Sequence, residues 1–463
     1  MKTKNNNKNL ILYIINKTYL FLILSFIPLT NSLIEIPIKT IKVKGIPKYR
    51  NISIQDSLDY SKIENLNRPI ILNEEGGMKY NGNRLFLATI KIGSNNQEFN
   101  LVLDTGSYIL WVPKEKSIDS GNIENHYNPT SSKTSKFLDE QFEQNYGTGS
   151  CSGYYYSDNF KYINNKVFNI IFGVADYTDF DVSGGDGIIG LAHYYSKKEE
   201  SFSFIHMLKK YKITDTLSFS LKFENKEIYE GMTGKLIIGN HKDFSSNYSV
   251  TCPLKHVSTG DIFWICEVNS LGLQNSIYKA ESNLGNYAIF DTGTNVIMVP
   301  LEYYISLKSE ISNFGCQSIK AEDQTSIQLV CEEENRIDFR FEINGNVLIV
   351  PKDIGFYRAF RNLYYSRVLF AQGNFIIGSP FFTTFHTLFD KENEKLHFYP
   401  ENPKYIEIYD TDVFSIVGIA LVIILLLVIF GFIIYKCIQW KRAKRELEDL
   451  PSSNYYGYNA NFL

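Results

Sequence analysis

The chain has 463 residues, of which 44% are hydrophobic and 15% aromatic, and its formal net charge is −3. This length exceeds a single ordinary domain core and predicts two packed lobes. Because the charge is near neutral and no basic patch precedes the C-terminal end, the composition argues against a nucleic-acid-binding protein.

The first 32 residues have the pattern of a secretory signal peptide. Lys2, Lys4 and Lys8 form a basic start, an apolar stretch "YLFLILSFIPL" follows over residues 19–29, and "TNS" ends at Ser32. An uncleaved membrane anchor is the alternative, but this apolar stretch is short for a membrane span. We therefore predict a signal peptide over residues 1–32.

The next segment, residues 33–77, begins with the basic and apolar stretch "LIEIPIKTIKVKG" and then becomes polar. Its position between a signal peptide and a folded body suits either a pro-segment or a linker. From about residue 83 the pattern changes to short apolar runs separated by turn residues, such as "RLFLATIKIG" and "KVFNIIFGVA". Such spacing predicts an all-β body. Within this body helical patches are few, and residues 203–213 and 301–312 are the strongest candidates.

An acidic tripeptide occurs twice at the end of an apolar run. The stretches "LVLDTGSYILWVP" and "AIFDTGTNVIMVP" place Asp104 and Asp291 187 residues apart. "GIIGL" places Gly190 86 residues after Asp104, and "FIIGS" places Gly378 87 residues after Asp291. A single Asp-Thr-Gly is a common turn, but two matched motifs at matched spacing indicate two copies of one lobe.

If two such lobes face each other across a pseudo-twofold axis, Asp104 and Asp291 meet at their interface. Ionising two adjacent carboxyls at once has a high electrostatic cost, so the pair shares one proton. The dyad of aspartic proteases is the standard example of this effect. The ionised partner can activate water while the protonated one polarises a peptide carbonyl. The neighbouring residues are expected to support the two loops: Thr105, Gly106 and Ser107 in the first, Thr292, Gly293 and Thr294 in the second.

The C-terminal region contains an uncharged apolar run of 23 residues, 413–435. At about 1.5 Å per residue, a helix of this length spans a hydrocarbon core of roughly 30 Å. Five cations follow directly: Lys436, Lys441, Arg442, Lys444 and Arg445. Under the positive-inside rule this end is cytoplasmic. We predict a stalk over 404–412, a transmembrane helix over 413–435 and a cytoplasmic tail over 436–463.

The six cysteines suit an oxidising compartment. Cys316 and Cys331 bracket a short loop and form the first candidate disulfide, and Cys252 and Cys266, which flank a predicted hairpin, form the second. Cys151 is left without a candidate partner, and Cys437 at the membrane edge is expected as a free or palmitoylated thiol. Asn51 and Asn247 lie in glycan acceptor sequences. The pattern contains no metal-binding motif, and no cofactor is expected.

Taken together, these motifs resemble those of the membrane-anchored branch of the pepsin-family aspartic proteases. "NYGTGSCSGYYYSD" resembles the family's flap hairpin, with Tyr146, Gly147 and Thr148 at its tip, and Trp111 resembles the tryptophan that contacts the flap tyrosine. The resemblance covers roughly residues 78–403. It implies an all-β, bilobal pepsin-like fold with pseudo-twofold lobes over 78–240 and 241–403, plus one C-terminal transmembrane helix.

The resemblance also implies an activity. It predicts a monomeric endopeptidase, made as a zymogen, that cleaves peptide or protein substrates at acidic pH in the secretory pathway, at an endolysosomal or cell-surface membrane. Ile188, Ile376 and Phe180 are expected beside the cleft. Ser379 departs from the aspartate usual after "FIIG", so the pH optimum is expected to differ. The small disulfide common in the first lobe is absent.

Two other classes of protein fit parts of the pattern. A non-catalytic, pepsin-like peptide-binding or sorting receptor would keep the cleft, but it would be expected to lack an aspartate or the flap tyrosine, and neither is missing. An anchored structural glycoprotein with incidental turns does not account for the matched spacings. His193, His206 and His386 do not cluster with a Ser or Cys motif and are predicted to be core or surface residues.

Overall fold

The computed structural model describes residues 34–43, 83–118, 123, 125–147, 149–161, 167–179, 185–193, 199–223, 233–239, 249–257, 262–278, 286–321, 325–408 and 411–448. The signal peptide, Asn51, Thr148, Phe180, Asn247 and the tail beyond residue 448 lie outside these residues. The chain divides into two compact units, Met1–Ile408 and Tyr409–Leu463.

Strands dominate the first unit, as its alternating apolar pattern predicts. The first twelve are β1 (Ile34–Val43), β2 (Asn83–Ile92), β3 (Gln97–Asp104), β4 (Leu110–Ile118), β5 (Lys136–Tyr146), β6 (Gly149–Lys161), β7 (Val167–Thr178), β8 (Gly187–Gly190), β9 (Phe219–Phe223), β10 (Thr233–Ile238), β11 (Val250–Pro253) and β12 (Ile265–Leu273). The remainder are β13 (Tyr287–Phe290), β14 (Ile297–Pro300), β15 (Gln317–Lys320), β16 (Ile327–Glu332), β17 (Phe339–Ile343), β18 (Asn346–Val350), β19 (Phe356–Phe360), β20 (Leu363–Ala371), β21 (Phe375–Ile377), β22 (Phe385–Asp390), β23 (Lys395–Pro400) and β24 (Ile406–Glu407).

The helices are few and short in the first unit. They are α1 (Phe204–Lys210), α2 (Leu301–Asn313), α3 (Lys352–Gly355), α4 (Ser379–Thr384) and, in the second unit, α5 (Thr411–Glu448). Short 3-10 turns occupy Pro129–Ser131, Glu199–Phe202, Glu333–Asn335 and Pro403–Tyr405. α1 and α2 confirm the two predicted helices. In α1 the apolar residues Phe204, Ile205, Met207 and Leu208 form one buried face, which is the spacing of an amphipathic helix.

Two large sheets contain the strands. One has the order β11-β23-β22-β9-β10-β1-β2-β3-β8-β4-β7-β6-β5, and the other has β15-β16-β20-β14-β21-β13-β12-β17-β18-β24, with β19 beside β20. The first sheet includes β11, β22 and β23, which come from the second half of the chain, and β22 pairs with β9 antiparallel. The predicted boundary between residues 240 and 241 therefore does not separate the two sheets.

Aromatic side chains fill the junction that this shared sheet creates. The rings of Phe219 and Phe389 stack with centroids 4.6 Å apart, and Trp264 meets Phe389 edge-on at 5.1 Å. Phe219 precedes the predicted lobe boundary, whereas Trp264 and Phe389 follow it. Each such ring buries on the order of 150–250 Å². Part of the high aromatic content thus packs in a core that joins the two halves of the chain.

The two candidate disulfides are both present. Cys252 joins Cys266, linking β11 to β12, and Cys316 joins Cys331, linking the turn after α2 to β16. Cys151 is a buried free thiol in β6, and Cys437 is an exposed free thiol in α5.

Part of the predicted stalk, residues 404–407, is ordered into a 3-10 turn and a strand. The 3-10 turn Pro403–Tyr405 leads into β24, where Ile406 pairs with Leu348 and Glu407 with Val347 of β18. In the second unit, α5 includes the apolar span Leu421–Arg445, whose residues are exposed. This helix is long and apolar enough to cross a membrane.

Candidate active site

Each Asp-Thr-Gly loop is positioned by a parallel strand pair. Asp104 ends β3, which pairs in parallel with β8, and the amide of Leu191 donates to the Asp104 carbonyl over 2.7 Å. In the second loop, β13 pairs in parallel with β21, and the amide of Asp291 donates to the carbonyl of Ile377 over 3.0 Å. The "GIIGL" and "FIIGS" echoes are therefore the strands that flank the two loops. The chain repeats one supporting arrangement.

The two aspartates have matching hydrogen-bond partners. Ser107 Oγ donates to Asp104 Oδ2 over 2.5 Å, and the Gly106 amide donates to Oδ1 over 2.8 Å. Thr294 Oγ1 donates to Asp291 Oδ2 over 2.5 Å, and the Gly293 amide donates to Oδ1 over 2.8 Å. Donors of this kind hold a carboxylate in one orientation and stabilise its ionised form.

The loops are joined across the site by two threonines. The Thr105 amide donates to Thr292 Oγ1 over 3.0 Å, and the Thr292 amide donates to Thr105 Oγ1 over 2.9 Å. Each hydroxyl in turn donates over 2.7 Å to a strand carbonyl of the other half, that of Phe290 or Leu103. Both threonines are fully buried. Four buried hydrogen bonds therefore fix the two loops relative to each other.

Glycine is required in both loops because the opposite aspartate lies close by. A Cβ atom at Gly106 would lie 2.9 Å from Asp291 Oδ1, and one at Gly293 would lie 2.6 Å from Asp104 Oδ1. Real Cβ atoms essentially never make contacts this short. Because each glycine has no side chain, the carboxylate of the other loop can lie next to it. The structure therefore brings Asp104 and Asp291 together.

The environment of Asp104 favours its protonated form. Burial raises the pKa of this carboxyl well above its ordinary value of 3.8, the neighbouring Asp291 charge raises it further, and the Ser107 and Gly106 hydrogen bonds oppose the shift. Asp104 is only 5% exposed, so solvent screens the pair weakly. A buried carboxyl that keeps its proton can donate a hydrogen bond to a substrate oxygen.

The predicted flap is the hairpin of β5 and β6. Tyr146 ends β5, and its hydroxyl accepts a 2.8 Å hydrogen bond from Nε1 of Trp111, which is fully buried in β4. Burial raises the pKa of the Tyr146 hydroxyl, as does the adjacent Cys151. Gly147 is exposed at the turn. The indole therefore holds the tyrosine, and Ser107 links that hydroxyl to the Asp104 loop.

The remaining predicted residues occupy different positions around the loops. Ile188 is buried in β8 opposite Trp111, whereas Ile376 in β21 is half-buried. Ser379 is buried at the start of α4, where its hydroxyl donates to the carbonyl of Asn295 over 3.2 Å. No group of three or more His, Cys, Asp or Glu side chains that could hold a metal ion occurs among the described residues.

The structure adds support that the sequence patterns did not reveal. Trp264 Nε1 donates to the carbonyl of Leu191, the residue whose amide holds Asp104, and the His193 ring lies 4.2 Å from the Trp264 ring. Asn295, next to the second loop, is 1% exposed, and its side-chain amide has no hydrogen-bond partner within the described part of the chain. Only the position of Asn295 directly after "DTGT" could have pointed to it.

The sequences of known proteins match the part of the chain that contains both loops. The model of the eukaryotic aspartyl protease family matches residues 85–400. The chain is similar to gastricsin of Oryctolagus cuniculus, at 25% identity over 331 residues covering 68% of this chain and 80% of that protein. It is also similar to pepsin A of Gallus gallus, at 26% identity with 68% and 84% covered, and to cathepsin D of Gallus gallus, at 29% identity with 49% and 57% covered.

These matches and the paired aspartate loops define the class of protein: an aspartic-type endopeptidase with a mostly β, pepsin-like fold. The chain belongs to the eukaryotic aspartyl protease family, whose pepsin branch includes its distant relatives. It carries two disulfides and one long apolar C-terminal helix.

Proposed function

We propose that the protein is a membrane-anchored aspartic endopeptidase, made as a zymogen and active at acidic pH. The observation that carries this proposal is the joined pair of Asp-Thr-Gly loops, with Gly106 against Asp291 and Gly293 against Asp104. Peptide or protein substrates would lie across this pair beneath the β5–β6 flap. No metal or other cofactor is needed for this reaction.

Catalysis would proceed by general acid and base transfer between the two carboxyls. The ionised carboxylate takes a proton from a water molecule as the water oxygen bonds to the peptide carbonyl carbon. The protonated carboxyl gives its proton to the carbonyl oxygen, which yields a tetrahedral diol. The carbon–nitrogen bond then breaks as the carboxyl that took the proton from water passes it to the departing nitrogen. A diol hydroxyl returns its proton to the other carboxylate, so an acid and an amine are released and the pair is restored. The raised pKa of Asp104 favours that carboxyl as the proton donor.

The position of β1 supports a zymogen. This strand lies within the predicted pro-segment, residues 33–77, and pairs with both β2 and β10 inside the first sheet. Ile38, for example, is opposite Ala88 on one side and Gly234 on the other. A pro-segment inserted in this way would be part of the fold until it is cleaved, so its removal would require local opening of the sheet.

Features at the C-terminal end support anchoring and orientation. The span Leu421–Arg445 meets the length and hydropathy expected of a membrane helix, and its cations follow the apolar part. The positive-inside rule then places the catalytic unit on the lumenal or extracellular side. The two disulfides suit that side, because such bonds persist in oxidising compartments. An endolysosomal or cell-surface membrane fits these features.

The proposal is tested by expressing the full chain in a detergent or nanodisc and measuring cleavage of a denatured protein from pH 3 to 7. We expect acid-dependent cleavage that a statine-type inhibitor blocks and that Asp104→Asn reduces on the order of 10³-fold. Asp215→Asn, at an exposed aspartate away from the loops, is the matched control and should retain activity. A folded protein, with the pro-segment removed, that binds peptides but cleaves none in this range would support a receptor instead.

A further inference from the structure

The second strand of the flap hairpin is paired with a neighbouring strand on both of its edges. β6 lies between β5 and β7, and the order β4-β7-β6-β5 makes β5 the edge of the first sheet. The register pairs Ser150 with Asn145 of β5, and it pairs Cys151 with Thr178 of β7. The pairing with β7 therefore extends to within two residues of Gly149, where β6 begins.

Asp179, the residue directly after β7, continues this pairing by one position. Its carboxylate Oδ1 accepts a 2.5 Å hydrogen bond from the Ser150 amide, and its own amide donates to the Ser150 carbonyl over 3.1 Å. In a regular antiparallel pair a backbone carbonyl would accept the first of these bonds, and here the carboxylate takes its place. An ionised acceptor makes such a bond stronger than a neutral one does. The Asp179 side chain thus fastens β6 at its second residue.

A β-bulge directs the end of β7 toward the flap. The register of β6 and β7 shifts between Ser152 and Gly153, where Asp176 is an extra residue in β7. Lys114 Nζ lies 2.6 Å from Asp176 Oδ1, which ties the bulge to β4. Bulges bend a strand, re-aim the side chains near them and are frequent beside active sites. Asp179 follows the bulge by three residues, so the bend helps to set its position.

The fastened position lies close to the first catalytic loop. Ser150 pairs with Asn145, which precedes Tyr146 at the end of β5. The Tyr146 hydroxyl accepts a 2.8 Å hydrogen bond from Nε1 of Trp111 and is linked to Ser107. A shift of Ser150 would therefore be passed across one strand pair to the flap tyrosine.

We propose that Asp179 is a positioning residue of the protease, which acts through Ser150 to hold the flap in the geometry that binds peptide. This inference rests on the proposed binding of substrate beneath the β5–β6 flap. A flap that is already ordered loses little freedom when a peptide binds, whereas a loose flap has to be ordered at the cost of affinity. Asp179 therefore contributes to KM rather than to the chemical step.

The test compares three variants of the full chain in nanodiscs, after removal of the pro-segment and at the native pH optimum. The substrate is a quenched fluorescent peptide that spans the principal site at which the native enzyme cleaves the denatured protein. Asp179→Ala removes the acceptor for the Ser150 amide, and we expect KM to rise about tenfold while kcat changes by less than about twofold. Asp179→Asn keeps a side-chain carbonyl as acceptor and should restore KM. Glu143→Ala removes an exposed carboxylate of the same hairpin and is the matched control, which should leave both constants unchanged.

Hydrogen exchange of the Ser150 amide, measured at pH 7, reports on the bond itself. We expect faster exchange in Asp179→Ala than in the native enzyme, and nearly native exchange in Asp179→Asn and Glu143→Ala. A merely structural defect would lower the amount of folded enzyme, which titration with a statine-type inhibitor counts, and would leave KM unchanged.

The outcomes separate this inference from the proposed function. A native enzyme that cleaves nothing overturns the proposed function and this inference with it. If the native enzyme is active, this inference alone is overturned when Asp179→Ala leaves KM unchanged or when Asp179→Asn raises KM equally. Native exchange of the Ser150 amide in Asp179→Ala also overturns it, because the carboxylate would then not hold β6.

Discussion

Thr105 and Thr292 exchange hydrogen bonds across the active site, each amide donating to the other's hydroxyl within 3.0 Å. Thr105→Val would remove the acceptor for the Thr292 amide and the donor to the Phe290 carbonyl. Because both groups are buried, we expect a loss of unfolding free energy of about 3 kcal/mol and reduced kcat. Thr105→Ser keeps the hydroxyl and should restore both. Denaturant unfolding measures the free energy of unfolding, and peptide cleavage measures kcat. If the Val and Ser variants lose equal amounts of both, the hydrogen bonds of the Thr105 hydroxyl are not the cause.

Asp104→Asn should separate activity from stability. Removing one partner of a general acid–base pair is expected to reduce kcat on the order of 10³-fold. Burial raises the pKa of Asp104, so the folded chain binds this proton more tightly than the unfolded chain, and stability decreases as pH rises above the ordinary value of 3.8. The variant should therefore melt at a higher temperature than the native protein at pH 7, and the gain should shrink toward pH 3. A lower melting temperature at pH 7 would contradict this account.

His193 should limit stability at acidic pH. Burial, together with the nearby Lys391, His206 and His256, lowers its pKa from 6.5 to about 3. Between these values the unfolded chain binds the proton and the folded chain does not, so stability falls as pH decreases from 6.5 to 3. His193→Phe keeps a ring against Trp264 and should reduce the loss between pH 7 and pH 4 by on the order of 2 kcal/mol. Thermal melting at both pH values measures this change, and His126→Gln is the control. If the His193→Phe variant and the native protein lose the same stability between pH 7 and pH 4, His193 is not the cause of the loss.

Tyr146→Phe should weaken substrate handling more than folding. The variant loses the acceptor for Trp111 Nε1, so the flap is held less firmly over the paired aspartates. We expect kcat/KM to fall about tenfold with a small change in melting temperature. Tyr154→Phe, farther along the hairpin, should leave kcat/KM near the native value. If the two variants lose activity equally, the Trp111 contact has no special role.

Ser379→Asp should move the upper pH limit of activity. The new carboxylate would lie beside Asn295 and near the second loop, where Ser379 now donates only to a carbonyl. A like charge near the pair disfavours its ionisation, so the limit should rise by up to about one pH unit. Ser379→Asn is the neutral control and should leave the limit unchanged. The profile of kcat/KM against pH decides between these outcomes.

Local patterns predicted the parts of the site that repeat along the chain. The two loops, the flanking strands that end at Gly190 and just before Gly378, and both disulfide pairs could be placed because each has a residue signature of its own. The Trp264 hydrogen bond to Leu191 and the packing of His193 could not be, because they depend on which strands meet across the two halves. Hydrophobic period specifies a strand but not its partner, so the pairing of β24 with β18 could not be predicted.

The first sheet passes from one half of the chain to the other through the pairing of β9 with β22. A chain cut between β10 and β11 would therefore yield two fragments that each present an open strand edge: β9 in the first and β22 in the second. Open edges of this kind recruit other strands. The two fragments are thus expected to complement each other by restoring the pairing of β9 with β22.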